Sequence, residues 1–593
     1  MARSSHFPAR SLPLRSSRSS SWWAILLLAL LLPACTPSDT GTDAGASTLV
    51  TGAPGQEVRS PGGMVSSASM IASEVGAQVL QEGGNAVDAA IATGLALAVT
   101  HPTAGNIGGG GFMVIRFPDG TATTFDFREK APAASHPEMF LGPDGEYSSE
   151  IHHNSHIAVG VPGTVAGFAL AHERYGSGEW SPLVSPAVAL ARDGFVVSEN
   201  LANSLSNVLS SMERYPASVA TYSKAGTPYE AGELLVLPEL AASLERIEQQ
   251  GRDGFYLGET ARLIAEEMRN NGGLITEEDL AAYEAVEREP VVGSYRGYEV
   301  ISMPPPSSGG VAMVQMLNIL EGWDLGEMGF MTTPTLHRMT EAMRMAFRDR
   351  ALHLADPDFE EVPVARLTDP SYAATLREQI DGERAGVSSP EDVMQPAESM
   401  ETTHYSVVDA DGMAVSVTYT LEAGYGSKIV VTGGGFLLNN EMGDFNARPG
   451  LTTETGLIGT EPNLARPGKR MLSSMTPSIL ARDGELVAVI GSPGGRTIIN
   501  TVTQMVLNLV DHGMSIGEAV EAARAHHQWL PDRLSLEAEA ITPAVQQELE
   551  AMGHTVRVQG RQGAVHAIAI DPVSGERIGA ADSRARDGGS VGH

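Results

Sequence analysis

Hydroxyl side chains crowd the segment Thr402-Thr403-His404-Tyr405-Ser406 and return in Thr418-Tyr419-Thr420 and in Leu472-Ser473-Ser474-Met475-Thr476-Pro477. A threonine hydroxyl is a poor nucleophile until a base takes its proton, and the α-amine of an N-terminal threonine can do so from the same residue. Such an amine titrates at about 7.7 to 8.0 in model peptides, so a large fraction is basic at neutral pH. An internal Thr402 can use this chemistry only after the Glu401–Thr402 bond breaks. Acyl transfer also needs donors for an oxyanion. Leu486 to Ile490 reads as a strand, Gly491-Ser492-Pro493-Gly494-Gly495 as a tight loop, and Ile498, Ile499, Val502, Val506, Leu509 and Val510 as one face of a helix. Strand, glycine loop and helix start in that order present backbone N–H groups to a negative oxygen.

Other motifs carry less. Gly108 to Gly111 make no dinucleotide fingerprint, because position 113 is Met. Gly468-Lys469 lacks the upstream glycine of a phosphate loop, and no Gly-x-Ser-x-Gly elbow is evident. His152, His153 and His156 have a spacing that could hold a metal, but no carboxylate or thiolate stands at companion spacing. They read as a solvated loop, and neither a metal nor a cofactor is expected.

Several elements must position these residues. Ser69 to Glu82 has a helical pattern closed by Gly83-Gly84, and Asn85 can cap a second helix over Ala86–Val99 that stops at His101-Pro102. That helix is apolar nearly all round, which makes it central. Phe112 to Ile115 and a segment through Phe125-Asp126-Phe127 are strands joined by a Pro118-Asp119-Gly120 turn, so Arg128 falls at a strand end. From about 160 to 400 the pattern is mostly helical, and Ser388 to Met400 reads as an exposed or mobile connection. His404 to Val408 and Met413 to Leu421 are the arms of a hairpin turning at Asp409-Ala410-Asp411-Gly412, with Thr402 at the start of the first arm.

The chain has 593 residues, 42% apolar, and ample material for a large core. Its formal charge is −33, and loss of a leader holding Arg3, Arg10, Arg15 and Arg18 would lower that by a further four. Such a surface repels phosphate backbones, so no nucleic-acid partner is expected. The basic start, the apolar run Trp22 to Leu32 and Pro33-Ala34 read as a signal peptide over residues 1–34. Cys35 is the only cysteine, and Leu32-Pro33-Ala34-Cys35 resembles a bacterial lipoprotein box, which implies lipidation of Cys35. An exported location follows, periplasmic or membrane-anchored on the extracytoplasmic side. Residues 35–58, rich in Thr, Ser, Gly and Asp, read as a flexible tether.

The hydroxyl-rich segments, together with Asp126-Phe127-Arg128-Glu129, Val161-Pro162-Gly163-Thr164, Gly491-Ser492-Pro493-Gly494-Gly495 and Asp587-Gly588-Gly589, resemble the γ-glutamyltranspeptidases from about Gly62 to His593. The resemblance implies an α/β (α+β) fold, the four-layer αββα sandwich of N-terminal nucleophile hydrolases. It implies self-cleavage between Glu401 and Thr402 into a large subunit, residues 59–401, and a small catalytic subunit, residues 402–593, that stay together as a heterodimer. It assigns nucleophile to Thr402, its hydrogen-bonding helper to Thr420, and the oxyanion hole to Gly494 and Gly495. It places Arg128, Ser473 and Ser474 on the donor's α-carboxylate and Glu422, Glu441 and Asp444 on its α-ammonium. The implied donor is glutathione or another γ-glutamyl amide, and the acceptor is water, an amino acid or a dipeptide.

Two positions depart from the family pattern. Glu422 stands where many relatives carry Asn, adding a charge, and Thr455 in the lid Pro449 to Thr460 stands where some place an aromatic residue, which lets water compete with amine acceptors, so that hydrolysis rivals transfer. Rival readings are a glutaryl or cephalosporin acylase, a poly-γ-glutamate hydrolase, and a catalytically idle binding lipoprotein.

Overall fold

The computed structural model describes residues 49–389, 402–450, 453–454 and 459–593. The leader, Cys35, Glu401 and Thr455 lie outside them, so the expectations placed on those residues do too. Among the described residues, two antiparallel sheets of eight and seven strands lie face to face. The eight-stranded sheet is centred on Thr403–Val408 and Ala414–Thr420, paired in register from Thr403 opposite Tyr419 to Val408 opposite Ala414. Met64–Ser67 flanks this hairpin on one side and Gly110–Arg116 on the other. Ser478–Arg482 and Glu485–Ile490 lie within the facing sheet, with Tyr298–Ser302 on one side and His566–Ile570 on the other.

Helices Met70–Gln81 and Ala86–Thr100 cover the first sheet, and Gly309–Leu320 and Thr497–Val510 the second, completing the four-layer αββα sandwich. Ser69 caps the first of these helices, and Asn85 caps the second through a capping box with Asp88. Every residue of Ala86–Thr100 is buried, as a helix apolar on all faces requires. Strand alternation sends Tyr405, Val407, Val417 and Tyr419 into the core beneath that helix. The opposite face turns His404, Ser406, Ser416 and Thr418 toward the second sheet, where they bond one another and the carbonyls of Ile490 and His566.

Two expectations are corrected, and a third, the mostly helical stretch, gains detail. Part of the supposed tether is structured: Val50–Gly52 pairs with Gly592–Ser590, and Glu57–Ser60 pairs with Arg577–Ala580. These are edge strands whose partners lie over 500 positions away, so no local pattern announces them. The mostly helical stretch also contains strands at Val286–Arg288, Val291–Tyr295 and Tyr298–Ser302, the last two forming a tight hairpin within the second sheet. Ser388, read as part of an exposed connection, is buried: its N–H donates to Asp532 Oδ2 at 2.8 Å, and Arg344 donates to its hydroxyl.

At Gly94, in the middle of the buried helix, a Cβ would stand 2.5 Å from a Phe168 ring carbon and 2.6 Å from Tyr405 Oη. Overpacking of this kind costs about 1–3 kcal/mol. Gly94→Val is therefore expected to lower the unfolding free energy by that amount, read from the shifted midpoint of an equilibrium denaturant titration.

Candidate active site

The hairpin register carries Thr402, one residue before the first arm, opposite Thr420 at the end of the second. Thr402 Oγ1 lies 3.4 Å from Thr420 Oγ1, and Thr420 Oγ1 also accepts the Glu422 N–H at 2.8 Å. Asn106 holds this strand end, donating to the Thr420 carbonyl while its own oxygen accepts from Gly109 and Thr164. Around the two threonines a small cavity of about 20 Å³ is lined by Arg128, Glu422, Glu441, Asp444, Ser473, Ser474 and Gly495. All the predicted site residues within the described chain line it except Gly494, the neighbour of Gly495. Met475 and Ile498 complete the lining, apolar members that the sequence reading did not name. A larger cavity, about 800 Å³, lies elsewhere between Tyr215, Pro238, Leu263 and Thr432 and contains none of these residues.

Arg128 ends its strand with no solvent exposure, and its backbone is fixed at both sides. Its N–H donates to Asp126 Oδ1 at 3.0 Å, and its carbonyl accepts the Tyr283 hydroxyl at 2.8 Å. Arg288 and Arg470 hold Asp126 in turn. The Arg128 guanidinium forms ion pairs with Glu441 and Asp444, sits 3.4 Å from Glu129, and donates to the Met471 and Leu472 carbonyls at 3.3 Å. Burial alone would lower its pKa, but Glu441, Asp444 and Glu129 hold it above the ordinary value. So the residue predicted to meet a donor carboxylate and two of those predicted to meet an ammonium are joined directly.

Burial pushes the Glu441 carboxyl well above the usual range despite the pull of Arg128. The same cause pushes Glu129 up to about 8. Asn439 places the acids: its Oδ1 accepts from Glu441 and Gly160, while Asn463 donates to the Asp444 carbonyl.

Ser473 and Ser474 are set by a group that sequence reasoning missed. Arg350, buried on the helix Thr333–His353, donates to Ser308 Oγ at 2.8 Å and Ser474 Oγ at 3.1 Å, and Ser308 donates twice to the Ser473 carbonyl. Nothing in the local sequence marked Arg350 as buried, because its partners Ser308 and Ser474 come from distant segments. Gly494 and Gly495 take φ of +131° and +55°, directly before the helix Thr497–Val510. A Cβ on Gly494 would lie 2.4 Å from Thr497 Oγ1, so the turn requires glycine. The lid ends are tied by Gly450 N–H to Gly459 O and by Asn446 to Thr460.

The three histidines are no solvated loop. Ser149–His153 is a short helix that buries His152 against Phe140, with ring bonds to Tyr147 and the Met442 carbonyl, and His156 is buried beside Glu267. His153 sits 3.3 Å from Glu422. The spacing signalled neither, because the partners come from distant segments. Away from the cavity, His337, Glu341 and His554 bring possible metal-ligating atoms within 4.8 Å. These atoms already have partners: the two imidazoles bond each other at 2.8 Å, and Glu341 pairs with Arg344.

Fold and site together define a four-layer αββα protein with a threonine pair, a buried arginine and a glycine turn at the open end of its central hairpin. This architecture is shared with the cephalosporin acylase of Bacillus halodurans, at a TM-score of 0.79 and 26% identity over 90% of this chain and 96% of that one. Residues 72–592 match the γ-glutamyltranspeptidase family. The glutathione hydrolase proenzyme of Escherichia coli (strain K12) is 49% identical, over 90% of this chain and 93% of its own. The acylase ACY 1 proenzyme of Pseudomonas sp. (strain SE83) is 40% identical, over 88% and 92%. The Helicobacter pylori γ-glutamyltranspeptidase structure is 44% identical with a TM-score of 0.53, over 54% of this chain and 91% of that one. The chain belongs to the γ-glutamyltranspeptidase family.

A carboxyl with a raised pKa binds more protons in the native than in the unfolded state between the ordinary carboxylate value of about 4.3 and, for Glu129, about 8. Stability from this group is full below that window and is lost as pH rises through it. Glu129→Gln is expected to flatten the decline, so that denaturant midpoints from pH 5 to 8.5 fall less steeply in the variant than in the parent.

Proposed function

We propose that this protein hydrolyses glutathione and transfers γ-glutamyl groups through an ester on Thr402, after cutting itself between Glu401 and Thr402. The observation that carries the reading is the cavity that joins Thr402 and Thr420 to Arg128, the acids, Ser473, Ser474 and Gly495. The relatives named glutathione hydrolase support the substrate class.

In maturation, Thr402 Oγ attacks the Glu401 carbonyl carbon. The C–N bond breaks, and the acyl group moves from nitrogen to oxygen. Water then opens the ester, leaving a carboxylate on Glu401 and a free amine on Thr402. That amine is the base for catalysis. It takes the hydroxyl proton as Oγ attacks the γ-carbonyl of the donor, and it gives the proton to the departing amine. Thr420 orients the hydroxyl from 3.4 Å. Negative charge developing on the carbonyl oxygen falls to the N–H groups of Gly494 and Gly495, a contribution of several kcal/mol in a dry site, about 2.7–4 for a single donor. Water or an amino acid then takes the acyl group from Thr402.

The donor's α-carboxylate and α-ammonium fit the same charge set. Within the pocket the Arg128 fork is closed by Glu441 and Asp444. A zwitterionic donor inserts its carboxylate toward Arg128, Ser473 and Ser474 and its ammonium toward the acids, so that each charge of the pocket meets its opposite on the ligand. An export signal and a lipid anchor at Cys35 remain part of the proposal, tested by palmitate labelling of the parent against Cys35→Ser.

Two outcomes test the mechanism. Thr402→Ala is expected to give one uncut polypeptide without γ-glutamyl anilide hydrolysis, while the parent gives a small piece whose N-terminal sequence begins TTHYS; two pieces from the variant would defeat the scheme. Arg128→Lys, a point charge in place of a fork, is expected to raise KM for a γ-glutamyl anilide about tenfold with a smaller change in kcat, read from steady-state kinetics.

A further inference from the structure

The donor cavity contains one carboxylate that the protein leaves largely unanswered. Glu422 is 4% exposed and faces the cavity, and neither of its oxygens accepts a conventional hydrogen bond among the described residues. Its backbone is held at φ +76°, a left-handed conformation rare for a side-chain-bearing residue, with its N–H tied to Thr420 Oγ1. Among the described residues His153 is placed against it, its Nδ1 3.3 Å from Glu422 Oε1. Room for this approach depends on Gly443, where a Cβ would stand 2.4 Å from His153 Nδ1 and 2.7 Å from a Glu422 oxygen. The His153 side chain is 26% exposed, so protons reach it from solvent while Glu422 stays dry.

We propose that His153 is a specificity-determining residue whose proton decides how strongly the pocket demands an ammonium on the acyl donor. With the imidazolium in place, Glu422 is balanced, and an acyl chain that has a distal carboxylate but no ammonium meets a less hostile site. When the proton leaves, Glu422 becomes an uncompensated buried carboxylate. It then attracts the α-ammonium of a γ-glutamyl donor and repels the distal carboxylate of a glutaryl donor.

The charges facing His153 from the surrounding segments set where this happens. Burial lowers its proton affinity, but the Glu422 carboxylate 3.3 Å away, with Asp444 from the 3-10 turn Glu441–Asp444, raises it above the ordinary histidine value. Lys428, on the loop between Glu422 and that turn, opposes them, and His152, its ring 4.3 Å away on the same short helix, is held neutral by burial. His156, the next histidine along the chain, is engaged with Glu267 instead. The imidazolium therefore persists to higher pH than that of an ordinary histidine and is lost as pH climbs above the usual histidine range.

The inference rests on the proposed γ-glutamyl chemistry and deepens it. Its test is the ratio of kcat/KM for a γ-glutamyl anilide to that for the matching glutaryl anilide, measured from pH 5.5 to 8.5. Both donors use Thr402, so its ionisation cancels in the ratio, and the donor ammonium's own titration is measured free in solution and divided out. The parent ratio is expected to rise about tenfold across the range, the size of an effect of one opposite charge at close approach. His153→Asn should give a high, flat ratio, and Glu422→Gln a low, flat one. A flat parent ratio, or the parental slope persisting in His153→Asn, overturns the role of His153 while leaving γ-glutamyl transfer standing. Absence of turnover of the γ-glutamyl anilide by the processed parent overturns both.

Discussion

A guanidinium without solvent exposure is the constraint around which this structure is arranged. Stripped of water, Arg128 would be costly to bury alone, and three carboxylates within 3.4 Å of it supply the compensation. Those carboxylates are costly in turn, which is why burial drives Glu441 and Glu129 upward even beside a cation. The balance closes only if every member is fixed. Asp126 and Tyr283 fix the arginine backbone, Asn439 and Asn463 fix the acids, and Arg350 with Ser308 fixes the two serines. A site made of opposed, desolvated charges holds latent binding energy for any ligand that presents the complementary pair.

This arrangement explains which parts were legible in the sequence. The hairpin from Thr403 to Thr420, the all-apolar helix Ala86–Thr100 and the strand, glycine turn and helix around Gly494 are local objects, specified by residues within about twenty positions of one another. Their types and nearly their bounds could be read from periodicity and caps. That Thr402, Arg128, Glu422, Glu441, Asp444, Ser473, Ser474 and Gly495 share one cavity came from resemblance, since segments hundreds of positions apart give no local sign of meeting.

The misses have the same origin. The edge strands at 50–52 and 57–60 are three and four residues long, and each is a strand only because a partner from beyond residue 570 lies beside it. His152, His153 and His156 look polar in sequence and are largely enclosed in space, because Met442, Glu422 and Glu267 arrive from elsewhere. Arg350 sits on a helix of low apolar contrast, and nothing nearby in sequence distinguishes an arginine that points at solvent from one that reaches Ser474.

Interleaving of the chain has a consequence for a break before Thr402. In the first sheet, Gly589–Gly592 pairs with Val50–Gly52 on one side and Met64–Ser67 on the other, and the 403–420 hairpin lies between Met64–Ser67 and Gly110–Arg116. In the second sheet, Tyr298–Ser302 pairs with Ser478–Arg482, and Glu57–Ser60 with Arg577–Ala580. Each piece thus supplies strands to both sheets, and no strand pairing spans only the broken bond. Side chains add to this across the same division: Arg344 pairs with Asp532, and His337 bonds His554. Cutting the chain therefore removes one covalent link from a structure that does not depend on it. What it changes is local: one amine gains freedom beside the hydroxyl it serves, at the mouth of a cavity whose walls come from both sides of the cut.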